Sequence, residues 1–141
     1  MSEDHHAIQR AISLYAQRTG RGDWQPVLDL FLPDGIWAVP HLGIRFVGHA
    51  ALRAGLAEVS AGMAYVLQHN APAVIEVDGD SATTRSNIRE AGKFADRDEG
   101  FEFFGIYADR LARTADGTWK FAERVFEHVG THYFPLSPAA V

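Results

Sequence analysis

The apolar residues change period part-way along the chain, and that change limits the fold more than any other feature. Up to about residue 60 they recur at helical spacing. From Tyr65 onward they fall into long strand-like runs broken by the turn sequences VDGD at 77–80, DRDEG at 96–100 and TADG at 114–117. Helices followed by antiparallel strands predict an α+β domain, with the helices packed on one face of a curved sheet.

Ile8, Ala11, Ile12 and Tyr15 share one face of a first helix, which Ser2 to Asp4 can cap and Gly20 and Gly22 end. Asp23 is placed to cap a second short helix with Trp24, Val27, Leu28 and Phe31 as its apolar face, stopped by the PDG at 33–35. IWAV and IRFVG, separated by the break at Pro40 to Gly43, read as a hairpin. A third helix follows with Leu52, Leu56 and Val59 buried, and Gly55 admits a close neighbour.

At 141 residues the chain suits a single domain, expected over residues 1–134 with a flexible tail at 135–141. The formal charge of −5, with Lys and Arg scattered, argues against a nucleic-acid surface, which needs a basic stripe. No polybasic run or membrane-length apolar run is present, and the N-terminus lacks the pattern of a leader, so no membrane association and a cytoplasmic location are expected. The absence of cysteine excludes disulfides, thiolate metal sites and a cysteine nucleophile.

The stretch MAYVLQHNAP ends an apolar run in His69 and Asn70. His69 can be a solvated turn residue, a hydrogen-bonded core histidine or a catalytic base. In FEFFGIYADRLAR, alternation puts Phe101, Phe103, Tyr107, Asp109 and Leu111 on one face. Asp109 then sits among apolar neighbours, either paired with Arg124 on the next strand or held where burial alters its acidity. Trp24, Trp37, Trp119, Phe101, Phe103 and Phe104 are core candidates of which a subset can line a pocket. His41, beside the Pro40 turn, is either solvated or at a cavity mouth. His128 and His132 have the spacing of helical metal ligands, but FEHVGTHYF reads as strand, and no metal site is expected.

Four segments, YAQRTGRGDWQPVLDLFLPDGIW, GHAAL, QHNAPAVIEVDGDSAT and GIYADRLARTADGTWKFAERVF, occur in an order that resembles the SnoaL-like group of the nuclear-transport-factor-2-like superfamily. Ketosteroid isomerases, scytalone dehydratase and hexachlorocyclohexane dehydrochlorinase are relatives of that group. The resemblance covers nearly the whole chain. It implies a cone-shaped half-barrel, a strongly bent sheet wrapped around the N-terminal helices, with an apolar cavity at its open end. It also implies pairing as a homodimer through the outer sheet face and chemistry without metal or organic cofactor.

Carried over by position, His69 matches the pocket histidine used as a base in the dehydratase and dehydrochlorinase branches. Tyr15 matches the isomerases' oxyanion donor, and Asp109 lies near their second, protonated donor. Trp37, His41, Phe103, Tyr107 and Trp119 are the expected substrate-pocket residues. The pattern also departs from the relatives. Gly20 stands where the dehydrochlorinase-like dyad has its aspartate, Thr19 and Gly20 replace the dehydratase tyrosine and aspartate, and Val39 lies near the isomerase base.

With Gly20 unable to orient His69, Asp109 or Glu90 would have to do so, and Asp109 is the favoured one. The expected activity is that of a small lyase or isomerase, dehydratase- or cyclase-like. His69 would move a proton and Tyr15 would hold the oxyanion of an apolar, cyclic or polyketide-like molecule. The alternative is a non-catalytic ligand-binding or accessory subunit on the same scaffold, as in the β-subunits of ring-hydroxylating dioxygenases.

Overall fold

The computed structural model describes residues 2–137. Helix α1 (Glu3–Thr19) starts at Ser2, whose hydroxyl accepts from the His5 amide at 3.2 Å, and ends at Gly20. Its buried face is Ile8, Ala11, Ile12 and Tyr15, as the helical spacing predicts. Helix α2 (Trp24–Leu28) is shorter than expected, and the difference has a physical reason. Phe31 is already in strand β1 (Phe31–Val39), where it pairs with Phe121. The PDG does not stop a helix. It forms a bulge, because five residues of β1 are taken up against two of its neighbour between Phe31 and Ile36.

After a 3-10 turn at Pro40–Leu42, strand β2 (Ile44–Val47) folds back on β1 as the predicted hairpin. Helix α3 (His49–Ser60) packs over it. A Cβ at Gly55 would overlap the Phe46 ring, so glycine there sets how closely α3 approaches β2.

Five strands complete the chain: β3 (Met63–Asn70), β4 (Val74–Asp78), β5 (Ser81–Phe94), β6 (Glu99–Arg113) and β7 (Trp119–Pro135). The order is β2-β1-β7-β6-β5-β3, with β4 also on β5. β5 is long enough to pair with β4 along its first part and β3 along its second. The β1–β7 pairing is parallel, and the seven-stranded sheet is therefore mixed and does not close. α1 touches β3, β4 and β7, so the sheet curves around it as the half-barrel reading requires. β7 reaches Pro135, which pairs with Glu99 and lies within the segment expected as tail, and residues 138–141 fall outside the described residues. No helix among the described residues is long and apolar enough to cross a membrane.

The alternation of β5, β6 and β7 decides what reaches the interior. Ala82, Thr84, Ser86 and Ile88 of β5 face inward, as do Phe101, Tyr107, Asp109 and Leu111 of β6 and Phe121, Arg124 and Phe126 of β7. Toward one end these side chains fill the core against α1. Toward the other they stop short and leave a hollow.

Candidate active site

The hollow has a volume of about 300 Å³ and lies between the sheet, the end of α1 and α3. Leu56, Val66, Phe103 and Phe126 give it apolar walls, and Tyr15, Trp37, Gln68 and Glu90 are among the residues with polar groups that line it.

Tyr15 belongs to a hydrogen-bonded chain with Tyr107 and Trp37. Trp37 Nε1 donates to the Tyr107 hydroxyl at 3.1 Å, and the Tyr107 and Tyr15 hydroxyls are 3.4 Å apart. With the indole occupying an acceptor position on Tyr107, the phenol proton of Tyr107 is free to point at Tyr15. In that arrangement Tyr15 accepts from Tyr107 and keeps its own proton for a further partner. Burial raises the pKa of both phenols, that of Tyr107 strongly, so they remain neutral donors.

Glu90 is the unusual group. It continues the inward series 84, 86, 88 on β5 and so places a carboxyl on the cavity wall. Burial pushes it from 4.5 to about 7, although Arg124 and the Gln68 amide both pull the other way. Gln68 Nε2 donates to Glu90 Oε1 at 2.7 Å, and Gln68 Oε1 is buried without a hydrogen-bond partner.

Arg124 is fully buried in the core beside the cavity. Its Nε and Nη2 donate to Asp109 at 2.8 and 3.1 Å, and Thr84 Oγ1 donates to the same carboxylate at 2.9 Å. The guanidinium lies over the rings of Tyr107, Tyr15 and Phe121, 3.8, 4.4 and 4.6 Å from their centroids. Asp109 is therefore the partner of Arg124 and does not line the cavity, in contrast to the expected second oxyanion donor.

His69 also differs from expectation. In β3, Val66, Gln68 and Asn70 face inward, whereas Tyr65, Leu67 and His69 face solvent on the outer side of the sheet. There His69 pairs with exposed Arg89 and shares a shallow outer groove with Phe104 and Val129. A period of two leaves no intermediate position: one residue of displacement puts a side chain on the opposite face.

Of the expected pocket residues, Trp37, His41 and Phe103 line the cavity. Tyr107 is fully buried behind Tyr15 and Trp37 and reaches the cavity only through its hydrogen bonds. Trp119 is displaced to the far end of the sheet, where its Nε1 donates to Asp4 at 3.0 Å and holds the start of α1. At the rim His41 stacks on His128, with centroids 4.5 Å apart, and His128 Nε2 lies 2.7 Å from Thr131 Oγ1. Among the described residues no group of three or more His, Cys, Asp or Glu side chains could hold a metal ion.

A Cβ at Gly20 would lie 2.6 Å from the Val66 carbonyl oxygen. An aspartate at that position would have to push β3 away from α1.

A profile of the SnoaL-like domain matches residues 1–125. The chain belongs to the SnoaL-like family. Solved structures share the fold across almost its full length. A candidate scytalone dehydratase from Novosphingobium aromaticivorans superimposes with a TM-score of 0.83 at 21% identity, covering 96% of this chain and 91% of that one. A candidate aromatic ring hydroxylase from the same species gives 0.84 at 25% identity, with 94% of each chain covered. The hexachlorocyclohexane dehydrochlorinase LinA, type 2, gives 0.82 at 16% identity, covering 98% and 92%. No curated protein matches the sequence. This SnoaL-like chain therefore has the scaffold of small isomerase- and dehydratase-type proteins.

Glu90 binds a proton more readily in the folded chain than at its ordinary value of 4.5, so between 4.5 and about 7 the folded state holds a proton that the unfolded chain has released. Stability should fall as pH rises through that window and stay lower above it. Replacing Glu90 with Gln is expected to stabilise the fold by about 3 kcal/mol at mildly alkaline pH and by little near its ordinary value, read by urea denaturation at the two pH values. An equal effect at both would contradict the assignment.

Proposed function

We propose that this SnoaL-like protein is a cytoplasmic, cofactor-independent lyase or isomerase whose proton-transfer group is Glu90, acting on an apolar cyclic molecule carrying a carbonyl. The observation that carries this reading is a carboxyl poised near neutrality on the wall of an apolar cavity that Tyr15 also lines. Ionised Glu90 removes a proton from the carbon next to the carbonyl. The electron pair moves onto the carbonyl oxygen, where the Trp37–Tyr107–Tyr15 chain supplies a hydrogen bond to the developing enolate. Protonated Glu90 then returns its proton to another carbon, which is isomerisation, or to a departing hydroxyl, which is dehydration. Apolar walls keep water from competing for the enolate.

A second reading is a ligand-binding protein without turnover. It is favoured by His69 facing outward and by Gly20 leaving no room for an aspartate.

Both are tested with β-tetralone in deuterated water, where exchange at the carbons beside the carbonyl is followed by NMR. The enzyme reading expects exchange that rises with pH to a plateau above about 7, falls about 100-fold or more in Glu90→Gln and is unchanged in His69→Ala. Bound ketone with no accelerated exchange supports the binding reading. Loss of exchange in His69→Ala with retention in Glu90→Gln would overturn the assignment of proton transfer to Glu90.

The outer sheet face carries exposed Leu67, Phe104 and Val129, and homodimer formation through it is part of the proposal. Light scattering should give a dimer that Phe104→Glu with Val129→Glu converts to monomer. A monomeric wild-type chain would contradict this.

A further inference from the structure

The cavity contains a polar atom that the proton-transfer reading does not use. Gln68 Oε1 is buried and has no partner, while Nε2 of the same amide is fixed on Glu90 Oε1 at 2.7 Å. An unpaired buried carbonyl oxygen is costly, and Gln68 lies on the cavity wall, where a ligand can supply the missing donor. The amide has a donor end and an acceptor end, and Glu90 settles which end it takes. An ionised carboxylate only accepts, so the NH2 must face it and the oxygen is left without a protein partner. A protonated carboxyl can donate, so the amide can turn over, accept from Glu90 and present its NH2 to the cavity instead.

We propose that Gln68 is the specificity-determining residue of the cavity, selecting a ligand with an O–H or N–H donor while Glu90 is ionised and a ligand with an acceptor once Glu90 is protonated. This rests on Glu90 being the proton-transfer group and narrows its substrate class. The productive substrate carries a hydroxyl or N–H near its acidic carbon as well as the carbonyl that Tyr15 meets. Proton transfer to Glu90 then inverts the preference of the site, so the state after transfer is held by contacts that the starting state lacks.

Several charged or titratable groups face this pair. Arg124 of β7, Tyr15 of α1 and Tyr107 of β6 sense the charge of Glu90, and Arg124 is held by Asp109. His41 of the 3-10 turn and His128 and Tyr133 of β7 line the same cavity. The rim imidazoles must be separated from Glu90 in the test.

The experiment measures calorimetric affinity for three bicyclic probes of similar size across the neutral range: indole, which only donates, indanone, which only accepts, and indene, which does neither. Indole is expected to bind about five- to tenfold tighter as pH rises through about 7. Indanone should weaken by a similar factor, and indene should not change. Both trends should vanish in Gln68→Met and in Glu90→Gln, and persist in the double variant His41→Phe, His128→Phe. Indene binding with parallel pH trends for indole and indanone would overturn the amide switch while leaving the cavity and Glu90 intact. Trends lost only in the histidine variant would also overturn it. Failure of all three probes to bind would overturn the cavity reading, and the switch with it.

Discussion

One buried guanidinium is shared unequally between two carboxyl groups on the inner face of the sheet. Arg124 lies among three aromatic rings, and a cation there needs a counter-charge. Asp109, directly across the β6–β7 ladder, takes two of its N–H groups, and Thr84 supplies a further hydrogen bond. Glu90 feels Arg124 only at longer range and is left with one amide donor from Gln68. A carboxylate so poorly compensated in an apolar wall keeps its proton up to about 7. The pairing that stabilises the core thus leaves the cavity carboxyl with the Gln68 amide as its hydrogen-bond partner.

The remaining parts of the site follow from where the strands and α1 end. Side chains fill the core around Ile8, Ile12 and Phe121, and the packing gives way near Tyr15 to a hollow of about 300 Å³. Tyr15 stands at that boundary with its ring in the core. Its hydroxyl is backed by Tyr107 and Trp37, which fix its orientation before any ligand arrives. Relatives that share this scaffold carry differing activities, so the polar residues on the wall determine what the hollow can do.

Much of this was legible in the sequence. Helical spacing located α1 and α3, turn chemistry located β5 to β7, and the alternation in FEFFGIYADRLAR put Tyr107 and Asp109 on the inner face. The Asp109–Arg124 pairing was one of two readings left open, and packing decided it. The carboxyl that faces the cavity was missed as a site residue, although parity could have pointed to it, since Glu90 alternates in step with Ala82, Thr84, Ser86 and Ile88 while Arg85 and Arg89 take the other face. The error lay in β3, where an apolar run with no clean alternation left the parity of Gln68 and His69 open. Only the pairing with β5 fixes it. The bulge at Pro33 to Gly35 and the contact of Gly20 with Val66 depend on segments distant in the chain, so local signals could not show them.

The central claim is that burial in the apolar cavity wall makes Glu90 titrate near neutrality. It is tested most directly by NMR titration of the side-chain carboxyls in protein isotope-labelled at glutamate Cδ, with the Glu90 resonance assigned by its loss in Glu90→Gln. The account predicts a midpoint near 7. A midpoint at the ordinary value of 4.5 would contradict it.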